Sequence, residues 1–359
     1  MEMYKTLDNG LFCSIDWLSF TVLDCSDLQS CLNTFGFNLS DFYDCPRGAN
    51  GYKNMLSYIC FNIRVLYNGN ENMGIHFDIS GSAVSEFYRV YYESCYDIST
   101  PWGTLAIDFS LDVVNSLFSK ILKMGHITRL DLAIDNKHDL FYSVKELHDI
   151  LDCQRFVSKW RSWRYVEEKE TSGVCSGRSI YFGSRSSDIM LRVYDKELEQ
   201  NKKYPNKDHL KHVNYKWVRW ELELKNERAN MAIDKLINGV SVGELAIGIL
   251  SNYFRIINFD DNNKSRCSND IKWERFVDDI HALRLYIAPL DNDLNDKKDW
   301  LIRQCAPTIA AVIMSDYGDM SFLSECIDVH ACRMNNKLQA LVSAKNPDWK
   351  KQLDLFCSN

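Results

Sequence analysis

The chain has 359 residues, of which 46% are hydrophobic and 13% aromatic, so it is long enough to bury a sizeable core. Charged residues make up 25%, and no uncharged apolar run is long enough to cross a bilayer, which argues against both a disordered chain and a membrane span. The formal net charge of −7, taken alone, argues mildly against a nucleic-acid partner.

Runs of β-branched and aromatic residues predict strands at 12–24, 53–68 and 73–80 in the first part of the chain. Apolar residues at helical spacing predict helices at 82–95 and 109–124. A strand at 127–135 and a helix at 143–152 follow. Ser143 is the expected N-cap of that helix, and Glu146 completes a capping box.

Strands are next predicted near 162–168 and at 179–183, 189–194 and 217–225, with a hairpin turn at 183–188. The character then changes. Apolar stripes predict helices at 241–257, 273–287, 300–316 and 321–344, and an acidic, Asn-rich loop at 258–270.

The pattern predicts an α+β domain over 12–230 and a helical C-terminal region over 231–359. The two strand-rich halves of the first part, 12–81 and 127–225, suggest two copies of one layout.

Three of the predicted strands combine an apolar face with a face of ionisable groups, because side chains alternate along a strand. The ionisable faces carry Arg129, Asp131 and Asp135; Arg192, Tyr194 and Lys196; and Arg219, Glu221 and Glu223. An ordinary solvated sheet face explains scattered charges. It explains less well paired carboxylates in two strands near a tyrosine between two cations.

Such a face suits phosphoryl transfer. Clustered carboxylates bind Mg²⁺ or Mn²⁺, and the ion offsets charge that develops on a phosphate. Tyrosine, with a pKa of about 10, is a weak nucleophile until cations favour the phenolate.

Positive charge is concentrated in one part of the chain. Between Arg155 and Arg228 there are 17 Lys and Arg against 11 Asp and Glu, a net of +6, while the remaining residues have 25 against 38, a net of −13. Within this segment, 155–165 interleaves basic and aromatic residues, a pattern that suits gripping a single strand and equally suits buried tryptophans.

Several blocks of the sequence together resemble a known family. They are SIDWLSFTV (14–22), GIHFDISG (74–81), RLDLAID (129–135), IYFGSRSSDIMLRVYDKELE (180–199) and WVRWELELK (217–225). In this order they resemble the replication initiation factors of Gram-positive rolling-circle plasmids and the related relaxases of integrative and conjugative elements. The resemblance covers about residues 12–230.

The resemblance implies a DNA endonuclease and ligase that nicks one strand at an origin and rejoins it through a phosphotyrosine intermediate. It implies an antiparallel-sheet domain related to the HUH nickases without their His-hydrophobe-His motif, and the sequence contains no H-x-H. The family's nucleophile falls on Tyr194. Its metal ligands fall among Asp131, Asp135, Glu221 and Glu223, with Asp131 and Glu221 the strongest candidates.

Further site residues are expected around these. Contacts to DNA are expected from Arg129, Arg185, Ser187, Arg192, Lys196 and Arg219. His76 and Asp78 share the polar face of their strand and are weaker candidates for the site, since a lone strand histidine is more often structural. A host helicase is an expected partner from the resemblance, and the helical region is long enough for packing, helicase contact or a homodimer.

Two alternatives remain open. A non-catalytic origin- or promoter-binding protein on the same scaffold would need the basic segment but neither Tyr194 nor the paired carboxylates. A tyrosine recombinase uses an Arg/His/Lys cage without metal, which fits carboxylate-rich strands poorly. The residues do not separate a plasmid initiator from a conjugative-element relaxase.

The cysteines indicate the compartment. There are 13, an odd number, placed singly and without a C-x-x-C pair, which favours a reducing cytoplasm and disfavours a structural zinc site. Residues 1–20 contain Asp8 and Asp16 and lack a basic start, so we expect no signal peptide.

Overall fold

The structure is a computed structural model. It describes residues 10–25, 27–59, 61–96, 111–138, 140–203, 213–281, 298 and 301–331, with short stretches between 334 and 350. By its contacts the chain divides into two compact units, residues 1–88 with 110–288 and residues 89–109 with 289–359. The sheet and the candidate site both lie in the first unit.

The first half of this unit runs from a long strand through a short helix into a four-stranded meander. Its elements are β1 (Leu11–Val22), α1 (Leu28–Thr34), β2 (Phe42–Asp44), β3 (Asn54–Tyr58), β4 (Ile63–Tyr67) and β5 (Ile75–Ser80), followed by α2 (Ser82–Tyr96). Asp27 caps α1, because its carboxylate accepts a hydrogen bond from the Ser30 amide at 2.9 Å.

The second half has the same plan with more helices. Its elements are α3 (Leu111–Met124), β6 (Gly125–Lys137), α4 (Val144–Asp152), β7 (Phe156–Ser158), β8 (Trp163–Lys169), β9 (Cys175–Phe182), β10 (Ile189–Asp195), α5 (Lys196–Lys203), β11 (Trp217–Lys225), α6 (Asn226–Ile237), α7 (Val242–Tyr253), β12 (Phe254–Ile256) and α8 (Ile271–His281).

All of these strands except β7 and β12 form one antiparallel sheet of ten strands, with the order β2-β3-β4-β5-β1-β6-β11-β10-β9-β8. In each half the first strand is followed by a helix and a meander whose last strand returns beside the first. The two halves therefore repeat one strand order and meet at β1 and β6. A β-bulge between Ile15 and Trp17 inserts Asp16 into β1 opposite β6.

The apolar faces of the strands form the core beneath a layer of helices. Helices α3, α6, α7 and α8 contact the central strands, and α4 contacts β9 and β10. Trp220 of β11 is fully buried against Trp273 and Phe276 of α8, with ring centroids 6.1 and 5.1 Å away. In the first half, Phe20 stacks on Phe77 at 4.7 Å. The polar faces are left on the opposite side of the sheet.

Several predicted elements differ from the structure at their ends. The strand predicted at 53–68 is a hairpin of β3 and β4. The helix predicted at 241–257 ends at Tyr253, and the next residues form β12, because Phe254 and Ile256 bury their side chains while pairing with β7. Ser143 caps α4 as predicted, with its hydroxyl accepting from the Glu146 amide at 3.1 Å. The Glu146 carboxylate, however, accepts from Lys272 at 2.7 Å.

The predicted division at residue 231, between an α+β domain and a helical C-terminal region, stays a prediction. Helix α6 spans that boundary, and α7 and α8 belong with the sheet, since its apolar face needs cover along its whole width. In the smaller unit a π-helical turn (Leu301–Cys305) leads into α9 (Ala306–Ser315), and α10 spans Ser321–Ala331. Residues 282–287 of the helix predicted at 273–287 lie outside the described residues. No described helix is long and apolar enough to span a membrane.

Candidate active site

The three charged strands of the sequence are neighbours in the sheet, in the order β6-β11-β10. Their register aligns the side chains in rows across the sheet. Tyr194 pairs with Arg219, which pairs with Asp135, and in the next row Arg192 pairs with Glu221. The predicted ionisable faces therefore merge into one polar surface in the second half of the sheet.

Tyr194 lies at the centre of this surface with its ring almost fully buried, at 2% exposure. Its hydroxyl donates to Glu221 Oε2 at 3.0 Å and accepts from Lys196 Nζ at 3.3 Å. The Arg192 guanidinium carbon lies 3.9 Å from the ring centroid. The phenol is thus bonded to a proton acceptor and flanked by two cations.

Burial raises the pKa of the Tyr194 phenol above its ordinary value, and the Glu221 carboxylate raises it further, while Arg219 acts in the opposite direction. The phenol is therefore neutral in this arrangement. Forming the phenolate requires either transfer of its proton to Glu221 or additional positive charge nearby.

The carboxylates of Asp131, Glu221 and Glu223 lie close enough together for their like charges to interact. Burial raises the pKa of Asp131 to about 8, with Glu221 and Glu223 adding to the rise and Arg129 opposing it. Burial also raises the pKa of Glu221, and Asp16 is its strongest like-charged neighbour. Burial is the largest cause of both rises, and cations are already paired with the cluster, since Lys225 lies 2.7 Å from Glu223 and Arg129 bonds Asp131.

Arg129 spans the carboxylates on β6 and β11. Its guanidinium bonds Asp131 twice, at 2.9 and 2.6 Å, and lies 2.9 Å from Glu223. Its other neighbour is the Trp17 ring, whose centroid is 4.0 Å from the guanidinium carbon. Arg129, predicted to contact DNA, therefore has its donors directed at the acidic cluster.

The carboxylate oxygens of Asp131, Glu221 and Glu223 are the type of ligand that a hard divalent cation prefers. In the arrangement described, Arg129 occupies the space between two of them. Within the described part of the chain, no group of three or more His, Cys, Asp or Glu side chains converges closely enough to hold a metal ion.

Asp135 and Arg219 form a buried ion pair apart from this cluster, and Arg219 also bonds Asp16. Arg219 donates to the two Asp135 oxygens at 2.7 and 2.8 Å, and Trp217 Nε1 donates to the same carboxylate at 2.6 Å. Burial alone would raise the pKa of Asp135, but Arg219 and Trp217 hold it below its ordinary value. This arrangement favours a structural role for both residues over metal or DNA binding.

The other residues predicted to contact DNA differ in their exposure and in the partners that they already have. Arg185 is exposed in the turn after β9, and the Ser187 hydroxyl beside it accepts from the Ser184 amide at 3.2 Å. Lys196 is paired with Glu199 in addition to its contact with Tyr194. The Arg192 guanidinium lies near the rings of Tyr181 and Tyr194, with centroid distances of 5.7 and 3.9 Å.

The segment 155–165 contains both a buried tryptophan and an exposed arginine, so each of the two interpretations of its pattern applies to some of its residues. Trp160 packs against Tyr253 and Phe182, with centroids 4.9 and 5.6 Å away, and its indole donates to the Ile189 carbonyl. Arg164 instead lies exposed on β8, with its guanidinium carbon 4.5 Å from the Tyr181 ring centroid.

His76 and Asp78 lie on the same face of the sheet but in the first half. Asp78 accepts hydrogen bonds from Arg64, Trp17 and Ser19 at 2.5 to 2.8 Å. The His76 ring lies 3.0 Å from the Thr21 hydroxyl. Both residues are committed to partners on β1 and β4, away from Tyr194.

Sequence reasoning missed Asp16 and Trp17. Asp16 bonds Arg219 Nη1 at 2.5 Å and faces Glu221. The bulge breaks the alternation of β1 at this residue, so a period of two could not place it.

Comparisons with known proteins bear on the same strands. The sequence profile of the family "Replication initiation factor" matches residues 125–327, which include β6, β10 and β11. The chain is 31% identical over 278 residues to a Bacillus subtilis (strain 168) protein named "Putative DNA relaxase NicK", covering 75% of this chain and 74% of that protein. The fold is similar to that of a rolling circle replication initiator protein from Geobacillus stearothermophilus. That match has a TM-score of 0.62 and 25% identity, over 78% of this chain and 99% of the other.

Proposed function

Since the chain belongs to the replication initiation factor family, we propose that it is a DNA-nicking and rejoining enzyme that cuts one strand at an origin and holds the cut end on Tyr194. The observation that supports the nucleophile is the pairing of the Tyr194 hydroxyl with Glu221 at 3.0 Å on a face rich in cations. A plasmid origin and a transfer origin would be nicked by the same chemistry.

In the proposed reaction the Tyr194 oxygen attacks a phosphodiester phosphorus. A phosphorus–oxygen bond to the tyrosine forms while the bond to one deoxyribose oxygen breaks, and that oxygen takes a proton from solvent water and leaves as a hydroxyl. When no ion is bound to it, Glu221 is placed to accept the phenol proton, because its raised pKa makes it a stronger base than an ordinary glutamate. Attack by the freed hydroxyl on the phosphotyrosine reverses these steps and rejoins the strand.

The cations around the tyrosine have separate tasks. Arg192 lies over the ring and Lys196 bonds the hydroxyl, so both stabilise negative charge as it moves from the phenolate to the phosphate. Asp131, Glu221 and Glu223 are the residues that would hold Mg²⁺ or Mn²⁺. When bound, the ion would polarise the phosphate and neutralise its charge.

The nucleophile is tested by the Tyr194→Phe variant, which retains the ring and loses the attacking oxygen. Incubation with supercoiled DNA carrying the origin, in the presence of Mn²⁺, should give open-circle DNA and a covalent protein–DNA adduct with the wild type and neither with the variant. Tyr43→Phe is the matched control, since Tyr43 is 52% exposed on β2 at the far end of the sheet.

An adduct that persists in Tyr194→Phe would place the nucleophile elsewhere. Binding of the origin without nicking by the wild type would favour the alternative, a non-catalytic origin-binding protein on the same scaffold.

The metal proposal is tested by binding rather than activity. Titration of Mn²⁺, followed by the electron paramagnetic resonance signal of the free ion, should show at least a tenfold loss of affinity in Asp131→Asn and Glu221→Gln. Asp149→Asn, exposed on α4, should bind like the wild type. Unchanged affinity in both site variants would contradict these ligands.

A further inference from the structure

A row of alternating arginines and tyrosines leads across the polar face from the free edge of the sheet to the nucleophile. Arg164 on β8, Tyr181 on β9 and Arg192 on β10 are paired in register, and Tyr194 follows two residues after Arg192. We call these four residues the Arg–Tyr row. Arg164 and Arg192 lie 4.5 and 5.7 Å from the Tyr181 ring centroid, on the two strands that flank β9.

Among the residues that the structure describes, the two arginines of the row are the arginines of the sheet that form no salt bridge. The structure pairs Arg64, Arg129, Arg178 and Arg219 with carboxylates at 2.5 to 3.2 Å. For Arg164 and Arg192, no carboxylate of the described residues lies within salt-bridge distance. In addition, Arg192 Nε is buried without a hydrogen-bond acceptor. A buried guanidinium donor without an acceptor is costly unless a ligand supplies one.

We propose that the Arg–Tyr row is the track on which the phosphates of single-stranded DNA approach Tyr194 from the β8 edge. This inference rests on the proposed function. The guanidiniums of Arg164 and Arg192 bind phosphate oxygens beside the scissile one, and the Tyr181 ring between them holds both in place by cation–π contacts.

The geometry favours a single strand. Tyr194 is 2% exposed on the polar face of the sheet. The phosphate that it attacks must therefore come into contact with the sheet surface itself. Arg164 is two strand spacings from β10, about 10 Å. One short segment of an unpaired strand can therefore contact Arg164 and Tyr194 together, and the exposed plane of Arg164 offers a surface on which a base can stack.

The test is binding of a fluorescein-labelled oligothymidylate, followed by fluorescence anisotropy over a series of salt concentrations. Arg164→Gln should weaken binding at least threefold and reduce the slope of log affinity against log salt by about 0.7, the value for one phosphate contact on a single strand. Tyr181→Leu should weaken binding similarly, and Tyr181→Phe, which retains the ring, should bind like the wild type.

Arg275→Gln is the matched control, because it removes the same charge from an exposed position on α8, in the helical layer. Circular dichroism establishes that each variant is folded. Wild-type affinity and salt slope in Arg164→Gln, or a loss no larger than in Arg275→Gln, would overturn the proposal. Equal losses in Tyr181→Phe and Tyr181→Leu would also overturn the positioning role of the ring.

The two proposals fail in different ways. An unaltered salt slope in Arg164→Gln removes the track while leaving the Tyr194 adduct in place. An adduct that survives Tyr194→Phe removes the nucleophile while leaving the binding result unchanged.

Discussion

Individual charged residues on the polar face fall into two groups, according to whether a partner of opposite charge is bonded to them. In the pair of Asp135 and Arg219 each charge is matched by its partner, with hydrogen bonds of 2.7 and 2.8 Å. Around Tyr194 the charges are less evenly matched, since burial raises the pKa of Asp131 to about 8, and Arg192 forms no salt bridge with any residue that the structure describes. Closed pairs are suited to holding strands together, and unmatched charges are suited to receiving a ligand.

At this scale we predict that Arg219→Met lowers the free energy of unfolding by about 3 kcal/mol, because it leaves the buried Asp135 carboxylate without its partner. Urea denaturation measures the change, and Arg275→Gln should stay within about 0.5 kcal/mol of the wild type. A loss below about 1 kcal/mol would contradict the structural role assigned to the pair.

Strand β10 shows how one element serves both sides of the sheet. Tyr194 points to the polar face, whereas the next residue, Asp195, ends the strand on the helical side and lies 3.2 Å from Arg178. Burial raises the pKa of Asp195 to about 6, with Glu197 adding to the rise and Arg178 opposing it. The carboxyl is thus harder to ionise in the folded chain than in the unfolded one.

The consequence is a pH-dependent stability. The pKa of an unfolded aspartate is about 3.9, so between about pH 4 and pH 6 the folded chain binds more protons at Asp195 than the unfolded chain does. The unfolding free energy should therefore fall as pH rises through this window, by about 2 kcal/mol from this residue.

Urea denaturation of the wild type and Asp195→Asn at about pH 4 and about pH 7 isolates the contribution. The variant should gain about 2 kcal/mol relative to the wild type at the higher pH. The same difference at both pH values would rule out a raised pKa at Asp195.

The whole molecule is a repeated layout in which the halves have different chemistry. Matching the halves by strand order and register aligns the Arg64 and Asp78 pair with the Arg192 and Glu221 pair. The position of Tyr194 is then taken by Leu66, which faces His76 as Tyr194 faces Arg219. The first half thus retains a polar face on which Arg64 and Asp78 are paired, with a leucine at the position of the tyrosine.

We predict that Asp78→Asn affects stability more than chemistry. It weakens the hydrogen bonds from Arg64, Trp17 and Ser19, so the unfolding free energy should fall by about 1 to 3 kcal/mol. Adduct formation per folded molecule should stay within about threefold of the wild type, whereas Asp131→Asn should reduce it at least tenfold. Loss of the adduct in fully folded Asp78→Asn would place the first half in the active site.

The comparisons confirm the family that the sequence motifs indicated, from the blocks around Tyr194, Asp131 and Glu221. The alternation within residues 129–135, 189–194 and 217–225 was sufficient to predict which side chains share a face, because strand periodicity is a local property. The roles of the individual site residues stay predictions until the variants are measured.

The partners of each charge depended on tertiary structure. Arg129, Arg192 and Arg219 occupy similar places in their strands, yet the first spans the acidic cluster, the second lies between tyrosines and the third is closed onto Asp135. Asp16 reaches Arg219 across 203 residues of sequence only because a bulge in β1 directs it there. Local pattern fixes the face of a side chain, whereas strand order and register fix its neighbours, and those are set by contacts between distant segments.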